Sequence, residues 1–270
     1  MKLVDTHCHL DFDAYDDDLE EVLKRARQTG VERILNPGID LESSERILQL
    51  TERYSDVYAA VGIHPNSATR WKADSNSRLA DLARHPSVVA IGEIGLDYYR
   101  DRAPRDLQRE VLERQLQVAQ DLKLPLVIHV RNADRDDRSC IIDVLQTLQT
   151  WQEERHMESH SDRLGVLHSF SGNAQEARRA VELGFYVGIT GPVTFKNAHT
   201  MREVVSSVPL RRLLIETDGP FLTPHPHRGQ RNEPAYVQHV AQRIAEVKGV
   251  SARAVAQSTT ENADRLFQWR

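Results

Sequence analysis

The chain has little cysteine: Cys8 and Cys140 are the only two among 270 residues. Two thiols build no disulfide framework, and their scarcity suits a reducing compartment, so a cytoplasmic protein is expected. No apolar stretch approaches the roughly 20 residues that a membrane-crossing helix needs. Met1-Lys2-Leu3-Val4-Asp5 runs straight into the first apolar segment, leaving no room for a signal peptide, and no membrane association is expected. Positive charge is not in excess: 35 Lys and Arg against 40 Asp and Glu give a formal net charge of −5. That balance excludes the overall basicity of a bulk nucleic-acid binder, so any affinity for phosphate has to be local. Linker-like stretches and short-period repeats are also missing. A single domain over 1–270 is therefore expected, with no obligate protein partner evident.

What is present is an ordinary globular composition, 40% apolar and 28% charged, organised in a repeating pattern. Runs rich in Val, Ile and Leu predict strands at Lys2–Thr6, Val31–Asn36, Val57–Gly62, Val88–Glu93, Pro125–His129, Leu164–His168, Phe185–Ile189 and Arg212–Glu216. Helical periodicity fills the intervals. Leu107, Val111, Leu112, Leu116, Ala119 and Leu122 form one stripe, and Tyr15–Thr29 and Leu41–Tyr54 behave alike. Gly30 stands where a helix C-cap belongs. Ser251 is expected to cap a penultimate helix and Thr260 a last one, Glu261–Phe267. Trp151–Asp162 is polar and has the character of an insertion. Eight alternations of strand and helix predict a parallel (β/α)₈ TIM barrel, with an open doubly wound sheet as the alternative.

The active site of such a barrel lies at the C-terminal ends of its strands. Those ends carry His7 and His9, then His64, Glu93, His129, His168 and Asp218. In extended chain, residues two apart share a side, so His7 and His9 can point at one ion. Each histidine alone is equally well a solvated or hydrogen-bonded residue. Glu93 and Asp218 say more, because an unpaired carboxylate in an apolar run is expensive to desolvate. His85, His156, His160, His199 and His239 fall in helices or loops and are given no role.

Four histidines and two carboxylates exceed what one tetrahedral ion accepts. Two divalent cations are therefore expected, with Glu93 bridging, His7, His9 and Asp218 on one, and His129 and His168 on the other. A water between them would lose a proton near neutral pH and become the nucleophile, with Asp218 as general base. Zinc, magnesium and manganese all suit such ligands.

The chain also resembles the TatD-type metal-dependent deoxyribonucleases, within the amidohydrolase-like barrels. The resemblance rests on DTHCHLDF from Asp5, VGIHP from Val61, AIGEIGLDYY from Ala90 and LPLVIHVRNA from Leu124. It continues through HSFSG from His168, ETDGPFLTP from Glu216 and HRGQRNEP from His227. It implies a (β/α)₈ hydrolase of DNA phosphodiesters, with His7, His9, Glu93, His129, His168 and Asp218 as metal ligands. His64 matches a histidine on the substrate side. Two positions depart from the family pattern: Arg131-Asn132-Ala133 replaces Arg-Asp-Ala, and Gln230 replaces a basic residue.

Arg131, and Arg228 and Arg231 in the Thr223–Pro234 loop, are the expected substrate contacts, because a guanidinium fork grips two phosphate oxygens at once. The bland alternative pairs the loop arginines with Glu233, for which a structural role is favoured. Tyr98 and Tyr99 follow the fourth strand, where a tyrosine can stack on an unpaired base. DNA, as single strand or frayed end, is the expected substrate. The alternatives are a metal-dependent ester or amide hydrolase, such as an aminoacyl-tRNA deacylase, and a non-catalytic metal-dependent scaffold.

Overall fold

Period-two alternation in the apolar runs becomes two packed layers separated by a sheet. The strands are β1 (Leu3–Asp5), β2 (Val31–Pro37), β3 (Val57–Val61), β4 (Val88–Asp97), β5 (Leu126–Arg131), β6 (Gly165–Leu167), β7 (Tyr186–Ile189) and β8 (Leu213–Ile215). They form one parallel sheet in chain order. This computed structural model describes residues 1–269 apart from 101, 135 and 155–162. The two outer strands meet just beyond their ends. Thr6 donates its N–H to the Ile215 carbonyl (3.2 Å), Asp218 to His7 (2.8 Å) and His9 to Gly219 (2.8 Å), and Cys8 bridges Gly219 in parallel. Those bonds satisfy edges that an open sheet would leave bare, so the sheet closes as a (β/α)₈ barrel.

Val4, Leu35, Ala60, Ala90, Val127, Val166, Tyr186 and Leu214, one from each strand, cluster with Ala263, Leu266 and Phe267 near the C-terminus. That group is the barrel interior, stoppered at one end by the last helix. The alternate residues, such as Leu3, Ile91, Ile128 and Val187, pack outward in the larger cluster. The surrounding helices are α1 (Leu19–Thr29), α2 (Leu41–Arg53), α3 (Ser75–Leu82), α4 (Arg105–Leu122), α5 (Ser139–Glu153), α6 (Ala174–Glu182), α7 (His199–Ser207), α8 (Val237–Lys248) and α9 (Ala252–Phe267). No helix among the described residues is long and apolar enough to cross a membrane.

Four expectations need correction. β4 does not stop at Glu93, nor β5 at His129. They pair on through Gly95–His129 to Asp97–Arg131, so both side chains project from within strands. Thr260 caps nothing: Ser251 accepts the Ala254 N–H and a single helix, α9, runs on to Phe267. The stripe of α4 is rotated, with Leu107 and Leu122 only half-buried and Gln108 and Gln115 fully so. The reading of Trp151–Asp162 as an insertion is not among them: Trp151–Glu153 lie in α5 and Glu154 follows as its C-cap, while 155–162, with His156 and His160, lie outside the described residues.

Those two glutamines explain their own burial. Gln115 accepts from the Ile63 N–H (2.7 Å) and donates to the Ile63 carbonyl (3.0 Å). Gln108 does the same at Asp97 (2.8 and 3.1 Å). Spaced seven apart on one helix face, they pin the chain after β3 and at the end of β4. Gly95 is equally constrained: φ is +141°, and an added Cβ would come within 2.1 Å of the His129 carbonyl oxygen. Gly95→Ala should therefore cost roughly 3 kcal/mol or more, read as a lowered urea midpoint. An unchanged midpoint would mean that β4 and β5 can separate without penalty.

Candidate metal centre

Inward-facing positions one step beyond the apolar layer become polar. Val127 is followed two residues on by His129, Val166 by His168 and Leu214 by Glu216. The barrel therefore gathers its polar side chains directly above the interior core. His7, His9, His64, Glu93, His129, His168 and Asp218, scattered over more than 200 positions, converge there.

Glu93 organises the group through its two oxygens. Oε2 faces His7 Nε2 at 3.5 Å and His9 Nε2 at 3.6 Å. Asp218 Oδ1 lies 3.6 and 3.8 Å from the same two nitrogens, which are themselves 3.3 Å apart. Oε1 faces His129 Nδ1 at 2.6 Å and His168 Nε2 at 2.8 Å. The first set suits a cation: bonds of about 2.0–2.1 Å in a tetrahedron give edges of roughly 3.3 Å, longer than a hydrogen bond between the same atoms. The donor atoms, imidazole nitrogen and carboxylate oxygen, are those that zinc, manganese and magnesium accept.

His64 differs from the others. Its Nδ1 accepts the Asn66 N–H at 3.0 Å, so in the neutral ring the proton is on Nε2, the nitrogen 3.5 Å from Glu93. It faces the site as a hydrogen-bond donor.

Three further carboxylates support the centre from behind. Asp97 Oδ2 lies 3.2 Å from His129 Nε2 and takes a bond from Asn66 (3.0 Å), while Oδ1 accepts the N–H groups of Tyr99 and Arg100. Such outer partners fix ring orientation. Glu216, fully buried, accepts from Ser169 N–H and lies 3.7 Å from His168 Nδ1. Asp5 accepts from the N–H groups of His7 and Thr217 and from the Thr217 hydroxyl (2.6 Å), joining the His7 segment to that of Asp218. Their sequence signal was visible: each is an acid two residues before a candidate ligand or at the end of an apolar run.

The expected substrate residues do not gather in the same way. Arg228 is exposed on the loop after β8, its guanidinium 4.4 Å above the Phe195 ring. Arg131 ends β5 and lies 4.1 Å above Tyr99. Arg231 is turned away, bonded through both terminal nitrogens to Asp18 (2.7 and 2.8 Å) and to the Ala14 carbonyl. Glu233 pairs with Arg25 of α1 (2.7 Å) rather than with either loop arginine. Tyr98 is buried and donates to Asp143 (2.6 Å), whereas Tyr99 is exposed. Asn132 accepts the Ile141 N–H in the first turn of α5 (3.1 Å). His85 and His199 take no part in the centre, and half-buried His239 packs near His227.

The sequence profile described as TatD related DNase matches residues 4–268. The chain belongs to that family. Among its relatives, Bacillus subtilis YabD, named an uncharacterized metal-dependent hydrolase, is 45% identical over 98% of this chain and 99% of its own length. A protein of Citrobacter rodentium named 3'-5' ssDNA/RNA exonuclease TatD is 36% identical, covering 93% of this chain and 92% of that one. The crystal structure of the TatD homologue YjjV of Escherichia coli superposes with a TM-score of 0.88 at 34% identity, covering 98% of each chain.

Burial and charge pull this TatD-family centre in opposite directions. Burial pushes the Asp218 carboxyl up to about 7 and Asp5 to about 8. It drives His9 down to about 4 and His7 well below the usual imidazole range. For Glu93 burial acts upward too, but His168, His64 and His129 together hold it well below the ordinary carboxylate value. His168 and His129 stay above theirs, against burial, because Glu93 and a second carboxylate face each of them.

A pH dependence follows for the metal-free protein. Of the depressed groups, the carboxylates finish titrating in the unfolded chain well below about pH 6.5, while His7, His9 and His64 are half-titrated there and add a small stabilisation as pH rises further. The raised groups, Asp5, Asp218, His129 and His168, hold their protons longer folded than unfolded and outweigh it. Stability should therefore fall by about 1–3 kcal/mol between pH 6.5 and 8 in EDTA. Saturating divalent metal should reverse the trend, because metal takes the place of those protons. Thermal melts at both pH values check this, and a rise in EDTA would contradict it.

Proposed function

We propose that the protein hydrolyses DNA phosphodiester bonds, releasing nucleotides from single-stranded or frayed ends with the help of two divalent cations. The observation that carries this reading is the division of Glu93, one oxygen toward His7, His9 and Asp218, the other toward His129 and His168. That arrangement suits one carboxylate shared by two ions. Bound there, magnesium, manganese or zinc would polarise the phosphoryl group and bring the pKa of water toward neutrality.

The remaining work falls to this chain's own groups. Asp218, poised near neutrality by burial, accepts the proton of the attacking water. His64 offers its Nε2 proton to a phosphate oxygen. Asp97 and Glu216 keep His129 and His168 from turning. Arg228, on the loop after β8 where barrels of this kind commonly bind phosphate, and Arg131, at the end of β5, supply local positive charge at the mouth of an acidic protein. The relative named as a single-stranded DNA and RNA exonuclease supports the choice of substrate.

The test is cleavage of labelled single- and double-stranded DNA with Mg²⁺ or Mn²⁺. Arg228→Ala should raise KM for oligonucleotides about tenfold or more, the worth of a charge-assisted contact, and leave hydrolysis of a small uncharged ester unchanged. Arg231→Ala, whose guanidinium is committed to Asp18, should leave KM alone. If no DNA is cut while an uncharged ester turns over independently of Arg228, the protein is a carboxyl-ester hydrolase instead.

A further inference from the structure

The described chain exposes six large apolar side chains, and three of them, Tyr99, Phe221 and Leu222, stand on segments that follow β4 and β8 at the mouth of the barrel. Tyr99 is 54% and Phe221 51% exposed. Exposed aromatic rings at the rim of a polar centre are placed to meet a ligand that reaches that centre. Both segments are also held rigidly. Phe221 N–H donates to the Asp218 carbonyl (2.9 Å), and Asn232 donates to the carbonyls of Phe221 (2.6 Å) and Thr217 (2.8 Å). Leu222 is kept at φ +55°, a conformation that a leucine adopts only under constraint.

Each aromatic group is tied to the centre through one residue. Phe12 stacks on His9 (4.6 Å between ring centroids, 18° between planes), and Phe221 meets Phe12 edge-on at 6.0 Å. Tyr99 is fixed by Asp97, whose other oxygen holds His129, and Arg131 lies over its ring. In the strand order, β4 and β5 stand half-way round the barrel from β8 and β1. The two aromatic ledges therefore stand on opposite sides of the barrel mouth that holds the centre.

We infer that these ledges are two base subsites, one formed by Phe221 and Phe12 and the other by Tyr99 with Arg131, with the scissile phosphate between them. This rests on the DNA-hydrolysis reading and narrows it. The smallest good substrate is a dinucleotide with both bases unstacked from any neighbour, and paired duplex is refused because its bases cannot reach the rings. Stacking on an aromatic side chain is tolerant of sequence, so little base preference is expected.

The kinetic test uses a thymidine dinucleotide and its two forms lacking either the 5′ or the 3′ base. Wild-type kcat/KM should fall about tenfold for each abasic form. Phe221→Ala should lose a similar factor on the full dinucleotide and be indifferent to removal of one base, and Tyr99→Ala to removal of the other. Ile142→Ala, an exposed apolar change on α5, should match wild type. A second arm needs no turnover: dinucleotides carrying 2-aminopurine on either side of a methylene-phosphonate link, whose fluorescence is quenched by stacking. Quenching should be lost at one position in Phe221→Ala and at the other in Tyr99→Ala. If no dinucleotide is cut but this pattern appears, DNA hydrolysis is wrong and the ledges stand. If DNA is cut but both variants keep wild-type kinetics and quenching, the ledges are wrong and hydrolysis stands.

Discussion

Glu93→Gln is expected to lower kcat/KM for phosphodiester cleavage by about 10³-fold or more, equivalent to about 4 kcal/mol of transition-state stabilisation. Glutamine keeps the volume and one oxygen but turns the other into an NH₂ group, which cannot bind a cation. Because Oε2 addresses His7, His9 and Asp218 while Oε1 addresses His129 and His168, the loss strikes both halves of the centre at once. Metal analysis of the purified variant should show less than the wild-type content. Circular dichroism should show an intact barrel, because Glu93 is held by the histidines around it and not by the helices. A variant with full metal content and wild-type turnover would remove the shared carboxylate from the account.

Asp218→Asn should cost about 10²–10⁴-fold in kcat with little change in KM, the usual scale for a lost general base. Asparagine preserves the shape of the loop, whose backbone is set by the bond from Asp218 N–H to His7 and by Phe221 N–H. The sharper readout is pH. A base works only when deprotonated, so wild-type kcat should fall on the acid side. Its inflection should lie below the value of about 7 that burial gives Asp218 in the metal-free protein, because a cation favours the ionised form. In the asparagine variant that acid limb should disappear. If the limb persists at the same pH, another group takes the proton and Asp218 is only a ligand.

The two substitutions test separately the roles expected of the two residues, Glu93 as the shared carboxylate and Asp218 as the base. Both residues stand in apolar runs as costly carboxylates, and that signal alone identifies each as partnered. Which one is shared between two sets of donors and which lies at the edge depends on where the oxygens point. The same division applies to the arginines. Arg228 and Arg231 stand three apart in one loop with equal claims to a phosphate. Asp18, more than 200 residues earlier, captures Arg231 and leaves Arg228 exposed.

By itself the sequence determined the strand–helix alternation and the identity of the candidate ligands, and it favoured a parallel barrel over an open sheet without showing closure. Alternation of period two and the cost of burying charge are local properties, readable wherever they occur. Only the tertiary structure decided the rest. The extension of β4 and β5 past their acidic and basic residues comes from the pairing of Gly95 with His129. The burial of Gln108 and Gln115 comes from backbone groups on other segments that need partners. The placement of Phe221 and Tyr99 on opposite sides of the barrel mouth comes from closure of the sheet. These are relations between residues far apart in the chain, fixed by geometry that no window of sequence contains.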